Sequence, residues 1–485
     1  MTVVSPLTDL LAGTPVSLTP KPGTPAYTGG FTTRGPELLP LDAGEQYRFG
    51  FSMNACIGCH SCEVACAEQN GLPDGTTWRR VGEIEGGDHP TTKRFHLSMS
   101  CNHCLEPACL EGCPTNAYEK LGNGAVVHHA DDCIGCQYCT WNCPYSVPAF
   151  QPDRRIVTKC DLCQPRLGAG LEPACVGACP THAITVEKFM PEEWRLDHSQ
   201  GDAPQLPSAS LTLSTTRIEL PHDVPIETYA ASDWNLRPEH PHWPLVWLTL
   251  VSQIAVGVTV ALAWGTRDDA SRWLAAALAA ISLLGAMFHL GRPIAAWKAL
   301  RNLRRSWLSR EVLLLSVFAG VAVGAVVVPW LVPLAAAIGL VGVYASAQLY
   351  VVPGRPAWNT PLTTIRFFAT ALALGPLLAG RPLLAIAGGS LALSATALNW
   401  RRLHSNPNQA WLGAFRLETR WFGGWTTARW CLTIAGMGAV AGGWPVPAWI
   451  ALATGELVGR WLFFVAVVPL NMPGAFWRGA VASHR

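Results

Sequence analysis

The stretch DDCIGCQYCTWNCPY (131–145) decides the fold of the first half of the chain. It holds three cysteines in seven residues, Cys133, Cys136 and Cys139, followed by Cys143 and Pro144. Runs of the form C-x2-C-x2-C-x3-C-P are typical of bacterial ferredoxins, in which the first three thiolates bind one [4Fe–4S] cluster and the fourth binds its neighbour. The stretch therefore predicts an α/β ferredoxin-like module whose clusters lie in pairs.

Three further sets of four cysteines lie on either side of this stretch. Sixteen of the 17 cysteines fall between Cys56 and Cys179, and Cys431 is the exception. Structural zinc also favours four cysteines, but zinc sites usually pair two separated C-x2-C knuckles. Sixteen thiolates therefore predict four [4Fe–4S] clusters, which in one small module serve as a path for electrons. The further sets are Cys56, Cys59, Cys62 and Cys66; Cys101, Cys104, Cys109 and Cys113; and Cys160, Cys163, Cys175 and Cys179.

The charge of the chain is divided between two chemically different halves. Of 485 residues 14% are charged, whereas a soluble domain carries about 25%. Residues 1–240 hold 16 Lys and Arg against 28 Asp and Glu, net −12, and residues 241–485 hold 19 against 5, net +14. This composition excludes a disordered protein, a secreted disulfide mini-protein and a nucleic-acid binder of general basic character.

Long apolar runs begin at Trp243 and continue almost to the end of the chain. About 20 apolar residues suffice to cross a bilayer. A buried helical bundle of a soluble protein is the alternative, but five acidic residues in 245 argue against it. The sequence therefore predicts an all-α bundle of eight membrane helices, at roughly 243–264, 273–290, 311–329, 331–352, 362–380, 382–400, 430–446 and 448–470.

These patterns divide the chain into four segments. We expect an extended N-terminal arm at 1–47, the four-cluster domain at 48–190, a polar linker or strap at 191–241 and the membrane domain at 242–485. The first 50 residues hold no basic start followed by an apolar run and no Arg-Arg pair. We therefore expect the cysteines to remain in a reducing compartment as metal ligands.

Ionisable residues inside membrane spans are functional candidates by default. His289 ends the second predicted span and Glu311 opens the third, so both should lie at the membrane face that carries the module. A proton acceptor and a carboxylate beside the last cluster suit quinol oxidation, which releases two electrons and two protons; an interfacial histidine held by packing is the alternative. Because His289 is the only histidine in the predicted spans, a bis-histidine haem is not expected. The other candidates are Arg310, Arg366, Glu456 and Arg460.

Glu456 and Arg460 have a structural interpretation of their own. They lie four residues apart and therefore on one helix face, as an intrahelical ion pair would require. We regard them, with Arg310, as possible support for a quinol site.

Both halves resemble subunits of one family. CNHCLEPACLEGCPTNA (101–117), the opening stretch and KCDLC (159–163) are similar to the four-cluster electron-transfer subunit of the dimethyl sulfoxide reductase family of molybdenum enzymes. HWPL (242–245), FHLGRP (288–293), SWLSRE (306–311) and GELVGR (455–460) resemble the haem-free, eight-span anchor subunit of the same enzymes. The chain therefore resembles a natural fusion of two usually separate subunits.

The resemblance implies a ligand set for each cluster and a role for the membrane residues. Related nitrate reductase subunits place Trp where Cys136 stands and hold a [3Fe–4S] cluster, so a full [4Fe–4S] cluster is implied here. The equivalents of His289 and Glu311 in those anchors are implicated in menaquinol binding. The four implied sets are Cys56, Cys59, Cys62 and Cys179; Cys66, Cys160, Cys163 and Cys175; Cys101, Cys104, Cys109 and Cys143; and Cys113, Cys133, Cys136 and Cys139.

The leading hypothesis is an electron-transfer and membrane-anchor subunit. Quinol would be oxidised near His289 and Glu311, and electrons would pass through four clusters to a bis-pterin molybdenum or tungsten centre in a separate subunit. One alternative runs the same path in reverse, from formate, arsenite or a sulfur compound to quinone. Another is an electron relay between a soluble donor and quinone without a molybdenum partner. In each case this polypeptide alone is not catalytic toward the terminal substrate.

The distribution of basic residues predicts the side of the membrane that carries the module. With eight spans, loops and span edges on the N-terminal side hold fifteen Lys and Arg, and the opposite loops hold three, Arg267, Arg272 and Arg381. The positive-inside rule then places the module in the cytoplasm of a prokaryote. The alternative is the outer face, with the arginines docking the acidic module.

Overall fold

The computed structural model describes residues 7–8, 15–16, 40–73, 76–86, 89–90, 92–204, 206–221, 230–231, 236–265 and 269–470. Most of the arm predicted at 1–47 lies outside these residues. Arg267, Arg478 and Arg485, which entered the charge comparison, also lie outside them.

The first part of the module is built on a three-stranded sheet with β3 (Gln46–Ser52) at its centre. β10 (Ile184–Phe189) pairs antiparallel with β3, and β11 (Arg217–Glu219) pairs parallel with it on the other side. Phe49 and Phe51 point to the same face of β3 and are buried, as the two-residue period of a half-buried strand requires. The sheet thus joins three distant segments around one core.

The remaining strands form one more three-stranded sheet, in the order β12-β4-β5, and three two-stranded ladders. The ladders are β1 with β2, β6 with β7, and β8 with β9. Their bounds are β1 Leu7–Thr8, β2 Pro15–Val16, β4 Arg80–Gly86, β5 Lys93–Met99, β6 Tyr118–Lys120, β7 Val126–His128, β8 Ala149–Gln151, β9 Ile156–Thr158 and β12 Ala230–Ala231.

Short helices alternate with these strands, and four of them carry cysteines. The helices with cysteines are α1 (Ser61–Gln69), α2 (Ala108–Gly112), α3 (Tyr138–Asn142) and α5 (Ala174–Gly177). The other two are α4 (Gln164–Gly168) and α6 (Pro191–Leu196). Strands, short helices and cysteine loops in this order confirm the predicted ferredoxin-like class.

Part of the segment predicted as a linker or strap packs on the module. Trp194 of α6 is buried and its Nε1 donates a hydrogen bond to the Ser214 carbonyl at 2.8 Å. Thr215 Oγ1 donates to the Asn102 carbonyl at 2.7 Å. Because β11 also completes the sheet around β3, residues up to 219 belong structurally to the module.

The second half of the chain is helical. Its long helices are α7 (Trp243–Ala263), α8 (Asp269–Met287), α9 (Trp307–Val327), α10 (Val332–Tyr350), α11 (Pro361–Leu378), α12 (Pro382–His404), α14 (Gly423–Ala441) and α15 (Pro445–Val465). A short helix, α13 (Gln409–Arg416), and a π-helical turn (Leu417–Trp421) precede α14. A 3-10 helix (Pro293–Leu300) connects α8 to α9.

Seven helices among the described residues are long and apolar enough to cross a membrane. The eighth long helix, α14, has 19 residues but is not one of them. It carries Arg429, three threonines and four glycines, which lower its apolar character. The predicted multi-pass helical half is confirmed, and its count of eight is approximate.

α7 lies at the centre of the helical half and is buried along most of its length. It approaches α11 at two glycines. A Cβ added to Gly257 would lie 2.2 Å from the Ala371 carbonyl oxygen, and one added to Gly375 would lie 2.4 Å from the backbone of Gly257. Only glycine permits this backbone separation, so the two helices meet without intervening side chains.

Candidate functional site

Eight of the predicted cysteine ligands line two separate cavities inside the module. Each cavity joins cysteines that are far apart in sequence, as the family resemblance implies. Cys56, Cys59, Cys62 and Cys179 line a cavity of about 290 Å³. Cys101, Cys104, Cys109 and Cys143 line one of about 370 Å³.

The other eight cysteines also come together in two groups. The Cys160 thiol interacts electrostatically with Cys66, Cys163 and Cys175, the other members of its implied set, and also with Cys101 of the neighbouring set. Within the described residues, no three His, Cys, Asp or Glu side chains converge as ligands of a single metal ion. Four thiols spaced around a cavity fit a polynuclear cluster, which when bound supplies a one-electron transfer site. In the second group the Cys139 thiol interacts with Cys113, Cys133 and Cys136.

The backbone follows the same local path in the cysteine runs that begin at Cys56 and at Cys133. Gly58 lies between Cys56 and Cys59 with φ +69°, and Gly135 lies between Cys133 and Cys136 with φ +68°. This left-handed conformation favours glycine. It turns the Gly135 amide toward the preceding ligand, to whose Sγ it donates at 3.4 Å. The C-x-G-C sequence therefore folds the loop around the ligand sulfurs.

Two buried cations lie among the cysteines. Arg79 is 2% exposed; its guanidinium donates to the hydroxyls of Ser98 and Ser100 at 3.1 and 2.9 Å and stacks on Phe49. Lys159 is 3% exposed. Burial opposes the charge of Lys159, but the sulfurs of neighbouring cysteines outweigh this effect and raise its pKa.

The module docks on the membrane half through the loop that holds Cys136. The Arg292 amide donates to the Ile134 carbonyl at 3.0 Å, and Asn302 Nδ2 donates to the Cys113 carbonyl at 2.8 Å. At the same place a Cβ added to Gly291 would lie 2.2 Å from the Arg155 carbonyl oxygen. The backbone of the membrane half thus touches the segments that carry these cysteines.

Ion pairs surround this contact. Asp132 accepts from Arg301 at 2.7 Å and lies 3.3 Å from Lys298 Nζ. Their hydrogen bonds lower the pKa of the Asp132 carboxyl. Glu111 pairs with Arg305 at 3.0 Å. The acidic module therefore meets basic side chains of the loop between α8 and α9.

A cavity of about 870 Å³ lies between the module and the membrane helices. Its wall is mostly apolar and comes from α7, α8, α9, α10 and the cysteine loop. Its chemically active lining residues are Cys136, Tyr138, His289, Glu311 and Tyr350.

His289 and Glu311 reach this cavity from different helical connections. His289 Nδ1 is 2.9 Å from the Ala286 carbonyl, so this nitrogen carries the proton and the ring is oriented by the end of α8. Glu311 is 4% exposed. Ser346 lies beside its carboxylate, but Glu311 Oε1 has no partner of good hydrogen-bond geometry among the described residues. A ligand with a polar head and an apolar body would satisfy this orphaned oxygen and the apolar wall together.

The four other sequence candidates, Arg310, Arg366, Glu456 and Arg460, do not line this cavity. Arg310 points elsewhere: its guanidinium stacks over Trp307 at 4.4 Å and donates to the Leu303 carbonyl. Glu456 and Arg460 lie deeper in the bundle, where both contact the Thr370 hydroxyl.

Glu456 and Arg460 belong to a buried polar network between α7, α11, α14 and α15. Arg460 Nη2 donates to Gln253 Oε1 at 2.7 Å, and the Thr370 hydroxyl donates to Glu456 at 2.5 Å. The ion pair that Glu456 makes is with Arg429, at 4.0 Å. Arg366, on α11, is buried and lies over the Phe463 ring at 5.5 Å.

Two aromatic residues of the module were not singled out from the sequence. Tyr138 and Trp141 lie on α3, inside the cysteine run, and line the cavity. Trp141 is 4% exposed and makes edge contacts with His242 and Trp358 of the membrane half, at ring distances of 5.1 and 5.3 Å. The presence of large aromatic side chains between cluster ligands was the sequence feature that could have indicated packing of this face against the membrane half.

This fold and these cysteine cavities define an iron–sulfur electron-transfer protein with a multi-pass membrane anchor. Comparison with protein families agrees with both parts. Residues 92–189 match the model of the 4Fe-4S dicluster domain, and residues 238–389 match that of the DMSO reductase anchor subunit (DmsC).

Individual relatives match up to about a third of the chain. The protein is 37% identical over 179 residues to an anaerobic dimethyl sulfoxide reductase chain of Haemophilus influenzae, covering 35% of this sequence and 86% of that one. It is 40% identical over 162 residues to the probable anaerobic dimethyl sulfoxide reductase chain YnfG of Escherichia coli, covering 32% and 78%. It is 39% identical over 153 residues to a sulfite dehydrogenase subunit of Allochromatium vinosum, covering 27% and 64%.

The protein belongs to the family of dimethyl sulfoxide reductase iron–sulfur subunits, and it carries the anchor domain of the same enzymes on the same polypeptide. The resemblance to a fusion of two subunits is thereby confirmed.

Proposed function

We propose that the chain oxidises a quinol in the cavity between its two halves and passes the electrons through four [4Fe–4S] clusters to a separate molybdenum catalytic subunit. The observation that carries this proposal is that Cys136, a predicted cluster ligand, lines the same cavity as His289 and Glu311. An electron donor in the cavity would then lie against a ligand of the nearest cluster.

The chemistry of the cavity suits a quinol. Oxidation of a quinol to a quinone releases two electrons and two protons, so the site needs proton acceptors as well as an electron acceptor. Glu311 Oε1 is available to accept a proton, and His289 donates from Nδ1 to the Ala286 carbonyl and also interacts with the backbone of Cys136. Tyr350 and apolar side chains would enclose the ring and exclude water.

The opposite end of the module supports electron delivery to a partner. Cys59, in the first set, is exposed. Ile57 and Val64 are 62% and 57% exposed close to it. Exposed apolar side chains beside a cluster suit a protein contact, and relatives are named as chains of dimethyl sulfoxide reductase. We infer that the catalytic subunit docks here. We also infer that no haem takes part, because His289 is the only histidine in the predicted spans.

Flow in the opposite direction is the second candidate. One relative is named as a subunit of a sulfite dehydrogenase, which denotes oxidation of a substrate. The same cavity would then reduce a quinone. Cluster potentials span hundreds of millivolts and are not fixed by thiolate ligation, so the direction is tested by comparing quinol oxidation with quinone reduction by the assembled complex. Molybdenum or tungsten in the purified complex would exclude a relay that lacks such a partner.

We infer that the module faces the cytoplasm. Arg292, Lys298, Arg301, Arg305 and Arg355 contact the module, so these five of the fifteen basic residues serve docking. Of the other ten, Arg366 and Arg429 are buried within the helical bundle, and the remaining eight still exceed the three on the opposite side, as the positive-inside rule requires. Protease added to sealed right-side-out spheroplasts should leave the module intact; its cleavage would reverse the assignment.

The test of the quinol site compares two buried carboxylates. In the purified full chain, Glu311→Gln and His289→Leu should abolish cluster reduction by a short-chain menaquinol, measured as bleaching of visible absorbance, while dithionite reduction stays complete. Glu456→Gln is the matched control, because it removes a buried membrane carboxylate that does not line the cavity. Normal quinol oxidation by both cavity variants, or its loss only in Glu456→Gln, would show that the site lies elsewhere.

A further inference from the structure

Two buried side chains, Lys159 and His103, connect the second and third ligand sets of the module. Lys159 precedes Cys160, a ligand of the second set, and His103 follows Cys101, a ligand of the third set, by two residues. Each side chain crosses to the other set. The pair is called the midpoint clasp below.

Lys159 makes the first contact of the midpoint clasp. Its Nζ donates to Cys101 Sγ at 3.5 Å and to the Cys160 carbonyl at 2.8 Å, and also to the Val126 carbonyl. All three partners are acceptors. An ammonium has three N–H groups and no lone pair, so this arrangement fits the charged form. A full positive charge therefore lies against a ligand of the third cluster.

His103 makes the second contact. Its Nδ1 accepts a hydrogen bond from the Val126 amide at 2.9 Å, so the ring proton must be on Nε2. That nitrogen lies 3.7 Å from Cys160 Sγ, within reach for a donor to sulfur. His103 is 1% exposed. The backbone thus fixes a neutral imidazole as a donor to a ligand of the second cluster.

We propose that the midpoint clasp raises the reduction potentials of the second and third clusters together and so keeps electrons moving between the two halves of the module. Reduction adds negative charge to a cluster, and hydrogen bonds to its sulfurs are among the factors that set its potential. A buried cation acts strongly because surrounding protein screens it less than water does. Val126 contacts both side chains, so the two donors are held as one unit.

The two donors differ in charge, and this predicts unequal effects. Lys159 carries a full charge and lies near both clusters, since Cys101, Cys109 and Cys160 all interact with it. His103 is neutral and donates to Cys160 alone. Loss of Lys159 should therefore lower both potentials, and the third cluster's more, whereas loss of His103 should lower mainly the second.

This inference rests on the proposed ligand sets, and its test is a redox titration of the full chain followed by electron paramagnetic resonance. In Lys159→Met two of the four signals should shift to lower potential, each by at least about tenfold in the reduced-to-oxidised ratio, which is about 59 mV for a one-electron couple. Lys159→Arg should keep the potentials close to those of the unsubstituted chain, because it retains the positive charge. His103→Leu should move one signal by a smaller amount.

Lys120→Met is the matched control. Lys120 is a partly buried ammonium, but it donates only to the carbonyls of His103, Cys104 and Gly124 and to no sulfur. It should shift the potentials less than Lys159→Met does. The midpoint clasp would be overturned by equal shifts in these two variants, by a uniform shift of all four signals, or by no shift of any signal in Lys159→Met.

Iron and sulfide analysis separates this outcome from failure of the proposed function. If the unsubstituted chain holds fewer than about sixteen irons, the four-cluster proposal itself is wrong. If every variant keeps the full content and no potential moves, only the midpoint clasp is wrong.

Discussion

Substituting Gly291 by alanine should slow electron entry from the membrane without altering any cysteine. An added Cβ would lie 2.2 Å from the Arg155 carbonyl oxygen, whereas ordinary contact begins at 3.4 Å. The two backbones would have to separate by about 1.2 Å, the difference between these distances. Overpacking of this kind usually costs about 1–3 kcal/mol. Because the contact adjoins the Cys136 loop, the strain would be relieved by moving that loop away from the cavity.

The expected consequence is kinetic. A displacement of about 1 Å from a reactive geometry can cost up to about 100-fold in rate, so quinol-dependent cluster reduction should fall by about one to two orders of magnitude. Rapid mixing of the purified chain with menaquinol, followed at cluster absorbance, measures this rate. Dithionite reduction should be unchanged.

Gly320→Ala is the control for this substitution. It adds the same methyl group on α9, where a Cβ would meet nothing within 4 Å. Equal quinol oxidation rates in Gly291→Ala and Gly320→Ala would refute the argument that this contact positions the nearest cluster.

Three further results are expected. Chemical analysis should find about sixteen iron and sixteen acid-labile sulfide atoms, and stoichiometric zinc with little sulfide would contradict the clusters. Cys136→Ser should change one electron paramagnetic resonance signal, that of the cluster nearest the membrane, and unchanged signals would contradict its ligand role. Burial opposes ionisation of Glu187, but Arg217 and Arg48 outweigh this effect and lower its pKa below 4.5. The ionised carboxylate therefore stabilises the fold above pH 4.5, and this stabilisation should be lost on acidification. Unfolding of Glu187→Gln should depend less on pH.

The cysteine spacing predicted the module because ligand geometry tolerates little variation. C-x-G-C requires a left-handed residue at Gly58 and Gly135, and the structure has it at both. The position of β11 could not be predicted in the same way. Its three residues, Arg217–Glu219, are too few for a strand pattern, and they are ordered by pairing with residues of β3 that lie 167 positions earlier.

The sequence identified the ionisable residues of the membrane helices but did not show which of them share a site. Glu311 and Glu456 are both carboxylates in apolar helices, and the sequence gives them similar surroundings. Helix packing separates them, because α9 faces the module cavity at Glu311 while α15 turns Glu456 toward Thr370. Tyr138 and Trp141 were missed for a related reason. Their role depends on which face of the module touches the membrane half, and cysteine spacing carries no information about that face.

The polar network in the membrane half joins residues of early helices to residues of α15, which is synthesised after them. Among the described membrane helices, Gln253 belongs to the first and its partner Arg460, 207 residues later, to the last. Polar groups without partners are costly in lipid. A nascent polypeptide that ends before Pro445 therefore leaves Gln253, Thr370 and Arg429 without the groups that α15 supplies. The first helix therefore reaches its final environment only after α15 has joined the bundle.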